Sequence, residues 1–421
     1  MRLLLLSAYF PPDVGSAAHL FYELGQAFAA HGHSVSVVTG FPGYHAQGDL
    51  SHYNGRRWLR ETMDGMDVHR IRVPQVARNT PMGRGLWQFS CAASLALVGL
   101  RIPHADIALV YSPPLPLGLS VLAWRLLRGI PFVFNVQDLF PQSAIDLGVL
   151  RQRPLIRFFE ALERFIYQHA DAITVHSSGN RDHVLARGGQ PERTFVIYNS
   201  VDSRHVRPGP VENALRQELG LNGHFVASFA GVMGYSQDLD VILEAALLLR
   251  DHADIRFLLV GDGVEKERLM RKSQAMGLPN IVWLPMQSRE HYPSVLQASD
   301  VGLTTLHAKV KTPVVPSKIL SVMAAGRPVV AVLDLRGDAP RLIAEAEAGY
   351  CLPPEQPQAL ADALLKLYND PVLCQRFGES GRRYAEAHLS PTAIAERYER
   401  LFAELTTRWK ASQCRLLEGK A

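Results

Sequence analysis

The sequence predicts an α/β protein: two doubly wound domains of similar size, joined by a linker and followed by a helical tail. Three observations carry this. Short apolar runs alternate with helix-length stretches along nearly all of the 421 residues. Most of these runs are continuously apolar, as strands of a parallel sheet covered on both faces must be. The strand–helix cycle also breaks once, at residues 203–210, where two prolines and two arginines read as a linker, and then begins again. At about 150 residues per domain, the length fits two or three domains.

Residues 3–7 open the first half as a buried strand. The start resembles a secretory leader, but the apolar run ends at Ser7 and Pro11-Pro12-Asp13 follows with no cleavage-like site. A loop with Gly15 and Ser16 leads into a helix over 19–30. Gly32 ends it, and the β-branched residues 34–39 form the next strand, completing one βαβ unit. Further strands fall at 68–73, 107–111, 132–136, 172–176 and 194–198, with an amphipathic helix over 154–170. The uncharged stretch 85–100, between Arg84 and Arg101, is short of the roughly 20 apolar residues that span a bilayer. It reads either as a core helix or as a helix lying in a membrane interface, with Trp87 and Phe89 as anchors.

The second cycle has strands at 225–230, 256–260, 281–284, 301–304 and 328–332, with helices such as 239–250 and 358–369. A charged helix over 392–417 ends the chain. The expected division is an N-terminal domain over 1–203, a C-terminal domain over 204–385, and a tail over 386–421 packing back on the N-terminal domain.

Composition narrows the function. Apolar residues make up 47% and charged residues 20%, close to the globular average, so disordered, collagen-like and coiled-coil classes are excluded. The four cysteines, Cys91, Cys351, Cys374 and Cys414, are far apart and form no C-x-x-C pair, which argues against a zinc ribbon, an iron–sulfur site or a thioredoxin motif. With 44 Lys and Arg against 40 Asp and Glu, the mild positive charge suits anionic small molecules or a lipid surface rather than nucleic acid. Sixteen histidines include no H-E-x-x-H, and His31 and His33 lie in a turn. No G-x-S-x-G elbow occurs.

Three glycine-bearing loops follow predicted strands: Pro12-Asp13-Val14-Gly15-Ser16, Phe229-Ala230-Gly231-Val232-Met233-Gly234, and Val260-Gly261-Asp262-Gly263. Glycine lets backbone approach a ligand, and the helix that follows offers free N–H groups to an anion. None is a G-x-G-x-x-G or Walker A sequence. Three such loops in two doubly wound domains nevertheless point to a phosphate-bearing ligand, bound beyond the carboxyl ends of the strands.

Several motifs in order carry a family resemblance. In the first half these are Gly32-His33-Ser34-Val35, Phe41-Pro42-Gly43-Tyr44, Asp64-Gly65-Met66-Asp67-Val68, Asn135-Val136-Gln137-Asp138-Leu139-Phe140-Pro141 and Tyr198-Asn199-Ser200-Val201-Asp202. In the second they are Val260-Gly261-Asp262-Gly263, Val315-Pro316-Ser317-Lys318 and Met323-Ala324-Ala325-Gly326-Arg327-Pro328. Over nearly its whole length the chain resembles the family 4 retaining glycosyltransferases of the GT-B fold, and within them the WbuB-like branch that builds surface polysaccharides. The resemblance implies two Rossmann-like domains facing across a cleft, the N-terminal one for the acceptor and the C-terminal one for a nucleotide-sugar. It also implies transfer with retention of configuration, no metal, and no cofactor beyond the donor.

The resemblance fixes the candidate site and its departures. Two family glutamates fall at Pro313 and Ser321; Ser321 can still bond a ribose hydroxyl, without charge assistance. The family's diphosphate-binding cations fall at Val232 and Gln237. Lys318, at a predicted helix start with the amides of Ser317, Lys318 and Ile319, is the expected substitute. The donor set is thus Gly231, Gly234, Gly261, Asp262, Gly263, Ser317, Lys318, Ile319 and Ser321. Gln137 replaces a family histidine, and Asp138 either orients the acceptor or steadies an oxocarbenium-like centre, or caps a helix. Asp338 is the acidic residue nearest to one that often follows the strand 329–332. Gly15 and Ser16 mark the acceptor side. The expected activity is transfer from a UDP-sugar to a sugar on a polyprenyl diphosphate, by a cytoplasmic enzyme on the inner membrane face. The missing glutamates leave open a catalytically impaired binding or scaffold partner, and the fold leaves open a UDP-sugar epimerase.

Overall fold

The computed structural model describes all residues except 14–15, 44–45, 47–49, 75–80, 103, 147, 311–314 and 419–421; of residues 16, 81–82, 84 and 412–418 it describes only the backbone. The chain divides into two compact units, Met1–Asn199 with Pro391–Ala421, and Ser200–Ser390.

In the first unit, β1 (Arg2–Leu6), β2 (Ser34–Gly40), β3 (Trp58–Met63), β4 (Met66–Ile71), β5 (Ile107–Ser112), β6 (Phe132–Val136), β7 (Ala172–Val175) and β8 (Thr194–Val196) form one sheet in the order β3-β4-β2-β1-β5-β6-β7-β8. Every neighbouring pair is parallel except the edge strand β3, which is antiparallel to β4. The unbroken leucine run of β1 is explained by its two faces. Leu3 and Leu5 enter one core, Leu4 and Leu6 the other. Each fully buried leucine contributes about 1.5–3 kcal/mol.

The helices Pro81–Gly99, Leu117–Arg128 and Arg153–His169 build the first of these cores, around Trp124 and Phe134. The helices Ser16–Ala30 and Pro391–Glu418 build the second. In the C-terminal helix, Ile394, Ala395, Tyr398, Leu401, Phe402 and Leu405 are buried, which is the spacing of one helical face. Phe402 lies 5.6 Å from Phe28.

The second unit has a six-stranded, all-parallel sheet: β9 (Phe225–Ala230), β10 (Ile255–Val260), β11 (Ile281–Leu284), β12 (Val301–Thr305), β13 (Val329–Val332) and β14 (Gly349–Leu352), in the order β11-β10-β9-β12-β13-β14. The strand order reverses between β1 and β5 in one unit and between β9 and β12 in the other.

Three sequence expectations are corrected. Residues 203–210 are not a free linker. Arg382 Nη1 donates to the carbonyls of Ser203 and Val206 at 3.0 Å, and Arg327 Nη2 to that of Gly209 at 2.9 Å. The second unit therefore begins at Ser200, and it keeps residues up to Ser390 through a π-turn over Ala385–Leu389, whose last carbonyl accepts from Val201 N at 2.8 Å. Trp87 is not a membrane anchor. It is 7% exposed, in the core, stacked on Tyr9 at 5.9 Å, because the helix carrying it packs against the sheet and the helix Leu117–Arg128. Phe89 packs on Phe158 and Phe159 at 6.0 and 6.4 Å. Among the described residues no helix is long and apolar enough to cross a membrane.

Candidate functional site

In the second unit the reversal between β9 and β12 marks where a ligand binds beyond the strand ends. The loops after β9 and β10 interlock there. Gly231 N donates to Val260 O at 2.8 Å and Met233 N to Asp262 O at 2.8 Å. Gly261 and Gly263 have φ of +155° and +149°. A Cβ at Gly261 would stand 1.9 Å from Gly231 O, and one at Gly263 2.4 Å from Met233 O. Both glycines are thus required by loop-on-loop packing. Asp262 is exposed and accepts from Gly263 N at 2.8 Å. A Cβ at Gly234 would meet open space, so nothing steric demands glycine there.

Lys318 lies over Gly231, where a Cβ would come within 2.5 Å of its Cε. It stands in the first turn of the helix Ser317–Ala324. Its Nζ donates to Gln237 Oε1 at 3.0 Å and sits 4.9 Å above the Phe229 ring. Burial pushes its pKa down to about 8, and burial is the sole cause; no carboxylate among the described residues compensates the charge. Gln237 thus fixes the position of the Lys318 ammonium. The Ile319 expectation is corrected: its amide already donates to Pro316 O at 3.0 Å, and its side chain is fully buried. Ser317 and Lys318 supply the opening amides of the helix.

Ser321 shares a hydrogen bond with the hydroxyl of Tyr292, whose pKa burial raises. Pro313 lies outside the described residues. Val232 is exposed. Asp338 is buried at the start of the helix Asp338–Glu345, where the helix dipole favours a carboxylate. Two polar groups near the end of β12 gave no signal in the sequence. The Asp238 pKa is raised by burial and lowered in part by His307. The amide of His307 donates to Ser236 O at 2.9 Å.

In the first unit, a cavity of about 470 Å³ opens beyond β1, β2 and β4, lined by Tyr9, Asp13, Phe41, Tyr53, Arg72 and Trp87 among others. Of these, only Asp13 lies in a loop that the sequence singles out for a ligand. The signal available was an aromatic residue just after each of two predicted strands, Tyr9 and Phe41. Asp13 Oδ1 accepts from Gly43 N at 2.8 Å, tying two of the loops together. Beneath the cavity Arg70 is fully buried, bonded to Glu61 and to the Pro11 carbonyl, 5.5 Å from the Tyr53 ring centroid. Gly15 lies outside the described residues; Ser16 opens the helix Ser16–Ala30, next to this cavity's Asp13 in the chain.

Asp138 follows β6. Its carboxylate accepts from the Ser143 hydroxyl and the Leu139 amide; the residue is exposed, yet the protein packed around it strips enough water from the carboxylate to raise its pKa despite both bonds. Tyr111, at the end of β5 between β1 and β6, feels the charge of Asp138, so Asp138 lies on the same sheet edge as the loop after β1 that lines the cavity. Gln137 is fully engaged. Its Nε2 donates to Asn135 Oδ1 at 2.9 Å and Asn199 Oδ1 at 2.8 Å, and its Oε1 accepts from Asn199 Nδ2 at 2.8 Å. Among the described residues no three His, Cys, Asp or Glu side chains are grouped to hold a metal.

Two doubly wound α/β units, the second with a loop-built polar site at its topological switch point and the first with a cavity beyond β1, β2 and β4, define a two-domain enzyme of nucleotide-dependent type. Comparison makes this specific. Residues 15–200 match the family described as "Glycosyl transferase 4-like domain", and residues 211–384 match "Glycosyl transferases group 1". The chain is a glycosyltransferase of family 4, with the GT-B fold, of the kind that serves polysaccharide synthesis. It is 25% identical over 410 residues to the putative colanic acid biosynthesis glycosyl transferase WcaI of Escherichia coli K12, covering 94% of this chain and 98% of that protein. It is 29% identical over 304 residues to the probable glycosyltransferase WbjE of Pseudomonas aeruginosa, covering 70% and 74%. Sucrose-phosphate synthase from Thermosynechococcus elongatus shares its fold at a TM-score of 0.75 and 18% identity, over 97% of this chain and all of that one. Anabaena HepE, solved in complex with UDP, does so at 0.71 and 17%, over 96% and 100%.

Proposed function

We propose that the protein transfers a hexosyl or N-acetylhexosaminyl group from a UDP-sugar, with retention and without a metal, to a sugar carried on a polyprenyl diphosphate. The uncompensated cation Lys318 carries this reading. A half-buried ammonium with no carboxylate partner among the described residues, over a glycine turn and beside two helix-opening amides, is arranged for a diphosphate. The UDP complex of Anabaena HepE supports the choice of base.

The acceptor sugar belongs in the first unit's cavity, where Tyr9, Phe41 and Tyr53 offer flat apolar faces and Asp13 and Arg72 offer polar edges. Asp138, raised in pKa on the same edge, is the group to steady positive charge at the reacting carbon. In a retaining front-face reaction the leaving phosphate takes the acceptor's proton, so Gln137 needs no basic role. Gln137 supports the site through Asn199. A carrier lipid would keep the enzyme at the cytoplasmic face of the cell membrane.

Incubating the purified protein with UDP-hexoses, UDP-N-acetylhexosamines and a lipid-linked acceptor, with chelator present, tests this by mass spectrometry of the product. A mass gain of one sugar, abolished by Lys318→Ala, is expected. Absence of product with every donor, from folded protein, contradicts it.

A further inference from the structure

The first unit's exposed apolar surface is strongly one-sided. Among its described residues, every exposed large apolar side chain except Met1 and Trp58 lies on, or just beside, the three helices Pro81–Gly99, Leu117–Arg128 and Arg153–His169. Leu97 is 63% exposed, Leu126 72% and Leu127 70%. The opposite helical layer, Ser16–Ala30 with Pro391–Glu418, exposes none among its described residues.

The helix Arg153–His169 is amphipathic twice over. Its inner face buries Phe159, Glu163, Ile166 and Tyr167. Its outer face exposes Leu155, Phe158 and Phe165, at spacings of three and seven residues, interleaved with exposed Arg153, Arg157 and Arg164. Charge on this layer has one sign. The helices Pro81–Gly99 and Leu117–Arg128 contain no acidic residue. The two glutamates of the third helix are taken: Glu160 pairs with Arg187 at 2.9 Å, and Glu163 is fully buried and accepts from Tyr167. Arg153, Arg157 and Arg164 have no carboxylate partner among the described residues.

We infer that this layer, led by Arg153–His169, is a docking surface for an anionic lipid bilayer, with Phe158 and Phe165 entering the acyl boundary and the arginines meeting phosphate head groups. Aromatic side chains interleaved with arginines, with the helix's two glutamates paired or buried, suit the region between head groups and acyl chains. A soluble protein partner would require acidic complementarity without rewarding exposed phenylalanines on this scale. The inference deepens the proposal of a lipid-borne acceptor: it places the contact on a different helix from the one the uncharged stretch 85–100 suggests.

The test uses the full chain and vesicles of phosphatidylglycerol with phosphatidylethanolamine, against phosphatidylcholine alone. Cosedimentation with the anionic vesicles is expected, weakened at least about tenfold by Phe158→Ser/Phe165→Ser and by Arg153→Glu/Arg157→Glu/Arg164→Glu, with Tm unchanged. A conservative Phe158→Trp protein should gain a blue-shifted emission that brominated acyl chains quench beyond the wild-type background. Unchanged binding in both multiple variants overturns the inference, as does an emission from the Phe158→Trp protein that brominated chains leave unquenched. So does a wild-type dimer that the arginine reversals dissociate, since a second copy would then own the surface. Transfer to a detergent-solubilised acceptor separates the two proposals. If it persists while vesicle binding is absent, only the docking surface falls; vesicle binding without transfer sinks only the activity.

Discussion

Lys318 is the residue on which the proposed donor site turns, and its position creates two opposed pH effects. Its pKa in the folded protein is lowered to about 8, from an ordinary 10.5. The unfolded chain therefore binds more protons than the folded one between those values, and this group's contribution makes stability rise with pH through that window. Diphosphate binding needs the charged form, so affinity runs the other way. From pH 7 to pH 9 the charged fraction falls about tenfold, and donor affinity should weaken by about that factor. A Lys318→Arg protein, charged throughout, should bind with little pH dependence over the same range. Titrations at the two pH values distinguish these outcomes.

Gly261 makes a second prediction at this scale. Gly261→Ala must adopt φ near +155° and place its Cβ 1.9 Å from the Gly231 carbonyl. The strain should cost about 1–3 kcal/mol, measured by denaturant unfolding, and displace the turn beneath Lys318.

Among the elements, the C-terminal helix shows best how distant sequence supports the site. Tyr398 OH receives a hydrogen bond from Asn135 at 2.8 Å and lies 3.2 Å from Thr174, all three buried. Asn135 in turn accepts from Gln137. The helix thus anchors the strand end that presents Gln137 and Asp138. Tyr398→Phe leaves a buried amide without one partner and should cost about 1–3 kcal/mol, with the loss of stability seen in thermal melts. Removing residues 391–421 would uncover Phe28 and the second core, and should reduce stability far more.

Strands are legible because two-sided burial makes them continuously apolar; β6 and β9 fall where the sequence puts them. β3 is not, because its residues alternate between exposed and half-buried at a sheet edge. Its turn, Asp64-Gly65 with φ of +48° and +80°, is the hairpin signal that locates it. Trp87 misleads for the opposite reason. An uncharged helix reads the same whether it faces lipid or a protein core. The amphipathic helix 153–169 has the pattern of an ordinary crossover, yet it carries the exposed phenylalanines.

At the scale of the whole molecule, the chain assigns its tasks to two units whose sheets reverse order at one point each. Motif order reveals the family. The cavity lined by Tyr9, Asp13 and Arg72 is not legible, because its walls come from loops after three strands that only the sheet order β4-β2-β1 brings together. The departures at Val232 and Gln237 read in sequence as a loss of charge; in the fold, Gln237 and Lys318 are one arrangement. The most direct test is calorimetric titration of UDP into the wild-type protein and Lys318→Ala at pH 7. A charge-assisted contact to phosphate predicts binding weakened about tenfold or more in the variant. Equal affinity in the two proteins, or no UDP binding by the wild type, would contradict the account.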